Sequence, residues 1–399
     1  APRVKFVRPD VLEVAVSEKP FMVKLTEDNL RSLATMMEYL SDPDASLTNL
    51  MLRGDMGTGK NTLVYTLAGL LGQGVRVMSF HAHTNEKDLR YRTTLGEERA
   101  GETSRKHSEI YESAEAGDWV ILDEPNKPLQ IGILNSLNTI LQNRQETLPG
   151  EERPVASHAR FRAIALVNPP NRSYTVQEMP ADFIRRFTVM DIDYMKAKDE
   201  ADFVMDTVFL DESAAKKEQL RPLIEQLVGL AGDLRSSYRQ GHLPRPLSTR
   251  GVLNMAQHIK KFPKDFPYFR EIFDPVYPTE YLESNEKALV DEYLKQRNLQ
   301  GQARPADFKL PDVQIDEKGG KIRLGDEQSG VVELPLGGLK AEEVPGGYLD
   351  IPHLQGNLRL WWAMMKDRAL GRHSLVLGET GTGKTQLMGH FLYAILRMQ

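Results

Sequence analysis

The chain has 399 residues, 40% of them apolar and 27% charged, with a net charge of −5 and no cysteine. That length holds two or three domains with sizeable cores; the absence of cysteine excludes disulfides and thiolate metal sites. The mild acidity excludes a global basic field for nucleic acid or anionic membrane, and no uninterrupted apolar run reaches the roughly 18 residues of a membrane span.

Residues 1–20 alternate apolar and polar (Val4, Phe6, Val11, Leu12, Val14, Val16), which predicts an extended lead-in. A helix is expected over 26–40, with Leu30, Leu33, Met37 and Leu40 on its buried face, Thr26 as its cap, and Pro43 with Asp44 breaking it. The apolar run Leu50-Met51-Leu52 then leads into Gly54, Asp55, Met56, Gly57, Thr58, Gly59 and Lys60, followed by a helical pattern to about Leu71, stopped by Gly72 and Gly74. Strand, glycine-rich turn, lysine and helix make a phosphate-cradling loop: the glycines let backbone N–H groups point inward, Lys60 reaches the β/γ-phosphates, and the helix N-terminus adds its unpaired N–H groups. One position departs from the pattern. The residue after the lysine is Asn61, where a Ser or Thr hydroxyl would bind magnesium. Thr62 does not simply replace it, because one residue along a helix turns a side chain by about 100°.

A strand is expected over 75–80. The stretch 85–116 is polar, has little β-forming content and reads as an insertion or functional loop. Its arginines and lysine (Arg90, Arg92, Arg99, Arg105, Lys106) are interleaved with Glu86, Asp88, Glu97, Glu98 and Glu102, which favours a solvated surface over a nucleic-acid groove. His81 and His83 lack a third ligand nearby, so a metal site there has little support. Trp119-Val120-Ile121-Leu122 predicts a buried parallel strand with Asp123 and Glu124 at its C-terminal end, where ligands bind in α/β sheets. In that position Asp123 would hold magnesium, directly or through water, and Glu124 would act as general base on the attacking water. A helix over 129–142 buries Ile133, Leu134, Leu137 and Leu141, and a strand over 161–167 ends on Asn168, an amide placed to orient the water and contact the γ-phosphate. Arg185 and Arg186 precede a short strand at 189–192 and read either as a solvated face or as a finger for a neighbouring subunit's nucleotide. The pattern is then helical to about Phe262. Phe203, Val204, Val208 and Phe209 form one apolar group, and Leu220, Leu223, Ile224, Leu227 and Leu230 another. Leu247-Ser248-Thr249-Arg250 opens a last helix from which Arg250 could reach back to phosphate.

Residues 263–310, rich in Pro, Phe and Tyr, resist classification. A β-hairpin is expected around Gly319-Gly320, and a linker at Gly337-Gly338 and Gly346-Gly347. After Leu375-Val376-Leu377 a second phosphate loop fits the pattern fully: Gly378, Glu379, Thr380, Gly381, Thr382, Gly383, Lys384 and Thr385, whose hydroxyl is the magnesium ligand. Trp361 and Trp362, in an amphipathic helix ahead of it, read as core. The expected organisation is a lead-in (1–20), an α/β nucleotide-binding domain (21–195), a helical lid (196–262), a linker with the hairpin (263–347) and the start of a second, incomplete module (348–399). The opening Ala1 and the close one helix past the second loop predict a segment of a longer polypeptide.

The set of parts resembles the AAA+ ATPases: phosphate loop, Leu122-Asp123-Glu124-Pro125-Asn126-Lys127, strand-end Asn168, Arg185-Arg186-Phe187 and Leu247-Ser248-Thr249-Arg250. The Asp-Glu-x-Asn-Lys run, the helix ending Leu141-Gln142-Asn143-Arg144-Gln145-Glu146, and Asn168-Pro169 ahead of Arg-Arg-Phe are similar to the branch that includes MoxR-type proteins, midasin and dynein. The tandem loops are similar to midasin, dynein and the von Willebrand A domain-containing protein 8 family. The resemblance implies a P-loop NTPase parallel sheet flanked by helices, followed by a helical lid and the start of a second AAA+ module, and it implies that 85–116 is that branch's helix-2 insertion. It implies ATP/ADP and Mg2+ as cofactors, and an ATP-hydrolysing motor or chaperone that remodels a protein substrate or adaptor. Neighbouring AAA+ modules would form a ring as a homo-oligomer or a tandem pseudo-hexamer, in the cytoplasm or an organelle matrix. By the same resemblance Asn168 is sensor 1, Arg250 is sensor 2, and Arg186, with Arg185 second, is the finger acting in trans. Asn61 sets the alternative: a nucleotide-binding structural or regulatory module whose first site does not hydrolyse.

Overall fold

The computed structural model describes residues 1–16, 20–41, 49–95, 103–170, 176–304, 313–316, 321–324, 332–335, 358–374 and 376. The chain divides into two units, Ala1–Arg250 and Gly251–Gln399.

The first unit opens with β1 (Arg3–Arg8), β2 (Val11–Ala15) and β3 (Phe21–Lys24), an antiparallel meander. The expected lead-in is thus extended, but it pairs with itself and with β3, burying Leu12, Val14 and Val23 on one face. Helix α1 (Glu27–Ser41) follows, and the Thr26 hydroxyl accepts from the Asn29 N–H as a cap does. Its buried face is a correction: Leu33, Met36 and Leu40 are inside, whereas Leu30 and Met37 are 49% and 46% exposed. Then come β4 (Leu50–Arg53), α2 (Lys60–Leu70) and β5 (Val75–Ser79).

The polar stretch after β5 is more ordered than its composition predicts. Asn85 caps α3 (Glu86–Arg90) through a reciprocal bond pair with Asp88. Strands β6 (Tyr91–Leu95) and β7 (Thr103–His107) form an antiparallel hairpin, and α4 (Glu109–Ala116) runs back to the sheet. Ion pairs sit at the base of the hairpin. Arg92 is held by Glu109 and Glu112, and Arg90 by Glu86 and Glu146.

Strand β8 (Trp119–Asp123) is followed by a 3-10 turn over Ile131–Leu137 that passes into α5 (Asn138–Gln142), so the expected single helix is two pieces; Ile140 joins Leu134, Leu137 and Leu141 inside. A two-stranded pair, β9 (Gln145–Glu146) and β10 (Val155–Ala156), leads to β11 (Arg162–Val167), α6 (Ala181–Ile184) and β12 (Thr188–Asp191).

Five strands make one parallel sheet in the order β12-β4-β11-β8-β5. The three middle strands are buried on both faces, and side-chain alternation sends successive residues to opposite cores. Leu50, Leu52, Trp119, Ile121, Ile164 and Leu166 pack with α1 and α2. Met51, Val120, Leu122, Ala163, Ala165 and Val167 pack on the other face with Tyr111 of α4, Leu137, Ile140, Phe183 and Phe187. The result is a three-layer α/β/α sandwich.

Two helices close this unit, α7 (Ala197–Val208) and α8 (Ala214–Arg239), and α9 (Thr249–Lys261) begins in it. Arg235 of α8 and Glu200 of α7 form a buried two-point pair at 2.6 and 2.7 Å, and Arg235 Nε donates to the Leu247 carbonyl at 2.8 Å.

In the second unit the unclassified stretch is helical, broken into short pieces by its prolines: a 3-10 turn at Pro263–Tyr268, α10 (Phe269–Phe273), a second 3-10 turn at Thr279–Tyr281, and α11 (Ser284–Gln296). The expected hairpin is β13 (Val313–Asp316) with β14 (Lys321–Leu324), extended by β15 (Val332–Pro335). Helix α12 (Leu358–Ala369) buries Trp362. The Trp361 side chain, the linker glycines and the whole second phosphate loop, Gly378 to Thr385, lie outside the described residues.

Candidate nucleotide site

Sheet order builds the site. β11 lies between β4 and β8, so the chain leaving β11 emerges between the glycine-rich loop after β4 and the acidic end of β8. This is the crevice at the carboxyl ends of a parallel sheet where ligands bind.

The loop over 54–59 is shaped by glycines that the geometry requires. Gly57 and Gly59 have φ of +80° and +90°, conformations that L side chains rarely adopt. A Cβ on Gly54 would fall on the Ile192 carbonyl, and one on Gly57 would come within 2.6 Å of Ser248 Cβ. The loop is braced from within by Thr58, whose hydroxyl donates to the Asp55 carbonyl at 3.0 Å. From outside, Tyr194 Oη donates to the Met56 carbonyl at 2.7 Å, and Tyr238 Oη donates to Asp55 Oδ1 at 3.2 Å.

Lys60 is buried at the helix start. Its ammonium donates to the carbonyls of Gly54 (2.6 Å) and Asp55 (2.8 Å) and to Asn168 Oδ1 (2.9 Å). Burial lowers its pKa from the ordinary 10.5 to about 8, against the pull of Asp55, Asp123 and Glu124. The Asn168 amide then donates from Nδ2 to Glu124 Oε1 at 2.7 Å. One amide therefore joins the loop lysine to the acidic strand end. Burial, followed by repulsion from Glu124, pushes the Asp123 carboxyl up, and burial also pushes Asp55 up.

Glu124 sits at φ +56°, a left-handed backbone for a non-glycine residue, ahead of Pro125. Its N–H donates to the Leu166 carbonyl at 3.0 Å and its carbonyl accepts from Lys127 N–H at 3.1 Å. Asn126 Nδ2 donates to the Asn168 carbonyl at 3.0 Å, which ties the turn after β8 to the end of β11.

Asn61 is exposed at the first turn of α2 and Thr62 is half-buried. Arg185 is exposed, with Asp182 at 3.7 Å. Arg186 is half-buried, and its Nε has no hydrogen-bond partner among the described residues. Arg250 is exposed two residues past Ser248, which touches the loop. A cleft of about 400 Å3 beside the loop is lined by Asp55, Pro169, Pro170, Tyr238 and Arg239. Tyr194, Tyr238 and Ser248 are contributions that sequence reasoning missed. Tyr194 carried a usable signal, since it follows β12 at the same carboxyl end of the sheet as the other site residues; Tyr238, in the last turn of a 26-residue helix, carried none. Among the described residues no group of three His, Asp or Glu side chains is placed to hold an ion.

The residues present fit a magnesium-bound nucleoside triphosphate: a buried cation, a loop whose turns require glycine at 54, 57 and 59, a carboxylate at Asp123 and a second at Glu124. Five parallel strands in this order, with that loop after the first, define a P-loop nucleotide-binding module.

Residues 49–187 match the model of the AAA domain, dynein-related subfamily. Von Willebrand factor A domain-containing protein 8 of Mus musculus is 26% identical over 62% of this chain and 13% of its own length. Midasin of Dictyostelium discoideum is 28% identical over 38% of this chain and 3% of its own, and midasin of Giardia intestinalis 27% over 46% and 4%. The chain thus spans a small part of the relatives it matches. A crystal structure of an ATPase candidate from Cytophaga hutchinsonii covers 66% of this chain and 84% of its own, at 15% identity and a TM-score of 0.35, too distant to carry any argument. The matched segment belongs to the AAA+ ATPases, in the branch of dynein and midasin. No described helix is long and apolar enough to cross a membrane.

Proposed function

We propose that the first module binds ATP with magnesium and hydrolyses it, as part of a ring-forming motor or chaperone that remodels a protein partner. The observation that carries this reading is the Asn168 amide, bonded to Lys60 on one side and to Glu124 on the other. Bound MgATP supplies the phosphoryl group that is transferred to water. Lys60 then neutralises phosphate charge, Asp123 holds the metal through water or directly, and Glu124 takes the proton of the attacking water. Asn168 aims that carboxylate, and Arg250, entering from the α9 start beside Ser248, closes the lid side. Arg186, or Arg185, serves a neighbouring module's site, and the first site receives its arginine from elsewhere. The AAA-domain family of the matched segment supports an assembly with neighbouring modules.

A second reading is favoured by Asn61, whose amide lacks the fit of a hydroxyl for magnesium. In that case the first site binds nucleotide and turns over slowly or not at all. ATP turnover of the wild type, Asn61→Thr and Glu124→Gln separates the two. Loss of most turnover in Glu124→Gln supports a working ATPase that tolerates Asn61. A Glu124→Gln variant equal to wild type, with Asn61→Thr faster than both, would leave only the binding role.

A further inference from the structure

Arg235 is a buried guanidinium that the proposed reaction does not use. Helix α8 carries it one turn ahead of Tyr238 and Arg239, on one helix face, and the partners of the three are Tyr194, Asp55 and Asp193. The edge of the guanidinium is filled by the fully buried Glu200 at 2.6 and 2.7 Å, by the Leu247 carbonyl at 2.8 Å and by Thr249 Oγ1 at 3.4 Å. Its face lies over the Tyr194 ring, 3.9 Å from the centroid. A lysine would balance the charge of Glu200 equally well, but it has neither the fork nor the flat face.

Both sides of this hub end on the phosphate loop. Tyr194 Oη donates to the Met56 carbonyl at 2.7 Å. Leu247 and Thr249 flank Ser248, whose Cβ lies so close to Gly57 that a Cβ there would meet it at 2.6 Å. Two consecutive loop residues are thus placed from one guanidinium. We propose that Arg235 is a positioning residue for nucleotide affinity, fixing Tyr194 and the 247–249 segment together so that the loop already has its phosphate-binding shape before nucleotide arrives. The inference rests on the loop being a nucleotide site. Its physical basis is preorganisation. Gly57 and Gly59 give the loop conformational freedom, and without braces the entropy of ordering it falls on binding.

Titration calorimetry of MgATPγS against the full chain, in a Lys384→Ala background that silences the second loop, tests this. Tyr194→Phe removes one hydroxyl and is expected to weaken binding about two- to ten-fold, the range of one net hydrogen bond. Glu200→Leu/Arg235→Met replaces the buried pair with apolar side chains, a change that folds often tolerate, and is expected to weaken binding at least as much. Arg235→Lys should behave like that replacement and not like wild type. Adding Tyr194→Phe to the replaced pair should weaken binding less than about twofold further, because the ring has already lost its fixed place. A role in stability alone would shift the urea midpoint and leave the affinity of the folded protein unchanged. Affinity equal to the parent's in both Arg235 variants therefore overturns the inference, as do effects of Tyr194→Phe and the replaced pair that multiply in full. Absence of binding in the Lys384→Ala parent overturns the nucleotide-site reading itself; binding there with unaffected variants overturns the role of Arg235 alone.

Discussion

Burial sets the pKa of the Lys60 ammonium at about 8, so its charge is lost on the alkaline side of neutrality unless an anion holds it. ATP affinity is therefore expected to fall as pH rises through about 8 in the wild type, and to stay level in Lys60→Arg, by titration calorimetry across pH 7 to 9. The stability sign is opposite. Between about 8 and the ordinary 10.5 the unfolded chain binds more protons at this position than the folded one, so stability in the nucleotide-free protein rises with pH through that window. Lys60→Met should remove that rise in urea unfolding. Gly57 is the second residue on which the loop depends. Gly57→Ala adds a left-handed Cβ 2.6 Å from Ser248 Cβ, and is expected to cost about 1–3 kcal/mol in the same measurement, with weaker nucleotide binding.

At the scale of elements, helix α1 gives a sharp comparison. Met36→Ala leaves a cavity against the β4 side of the sheet and should cost about 2–5 kcal/mol, whereas Leu30→Ala should change stability by under about 0.5 kcal/mol. The sequence reading placed Leu30 and Met37 inside because the pairs 30/37 and 33/40 each repeat at seven residues, and adjacent Met36 and Met37 leave the phase of the stripe open. Burial against β4 and α2 decides it, and no local pattern contains that information. The parallel strands were legible for the opposite reason: runs such as Trp119–Leu122 are apolar throughout, as a strand covered on both faces must be. Their order was not legible by spacing alone. Nothing local states that β11 enters between β4 and β8, which is what brings Asn168 to Lys60 and Glu124. The insertion hairpin escaped notice because strands such as Tyr91–Leu95 and Thr103–His107 carry polar residues on both faces. The Tyr194 and Tyr238 braces are long-range hydroxyl contacts that composition does not encode.

At the scale of the whole molecule, the two units are stabilised by different physics. The first rests on two apolar cores, one on each face of its sheet. The second contains a buried ionic hub at Asp265, which receives His258, Lys366 and Arg304. Burial alone would raise the Asp265 carboxyl, but hydrogen bonds from His258 and Lys366, with Arg304, together hold it well below the usual carboxylate range. A depressed carboxyl contributes stability that is present above the ordinary value of 3.8 and lost as pH falls below it. Asp265→Asn should cost about 3–5 kcal/mol near neutral pH, because it leaves buried cations without their counter-charge, and should flatten the acid limb of the unfolding curve.

The central claim is that the crevice at the ends of β4, β8 and β11 takes a magnesium-bound nucleotide through Lys60. Titration calorimetry of MgATP against the full chain, with Lys384→Ala to silence the second loop, tests it most directly. Binding that persists in Lys384→Ala and is lost in the Lys60→Ala/Lys384→Ala double variant, with the fold intact by circular dichroism, is the predicted result. Equal binding with and without Lys60 in that background would contradict the account.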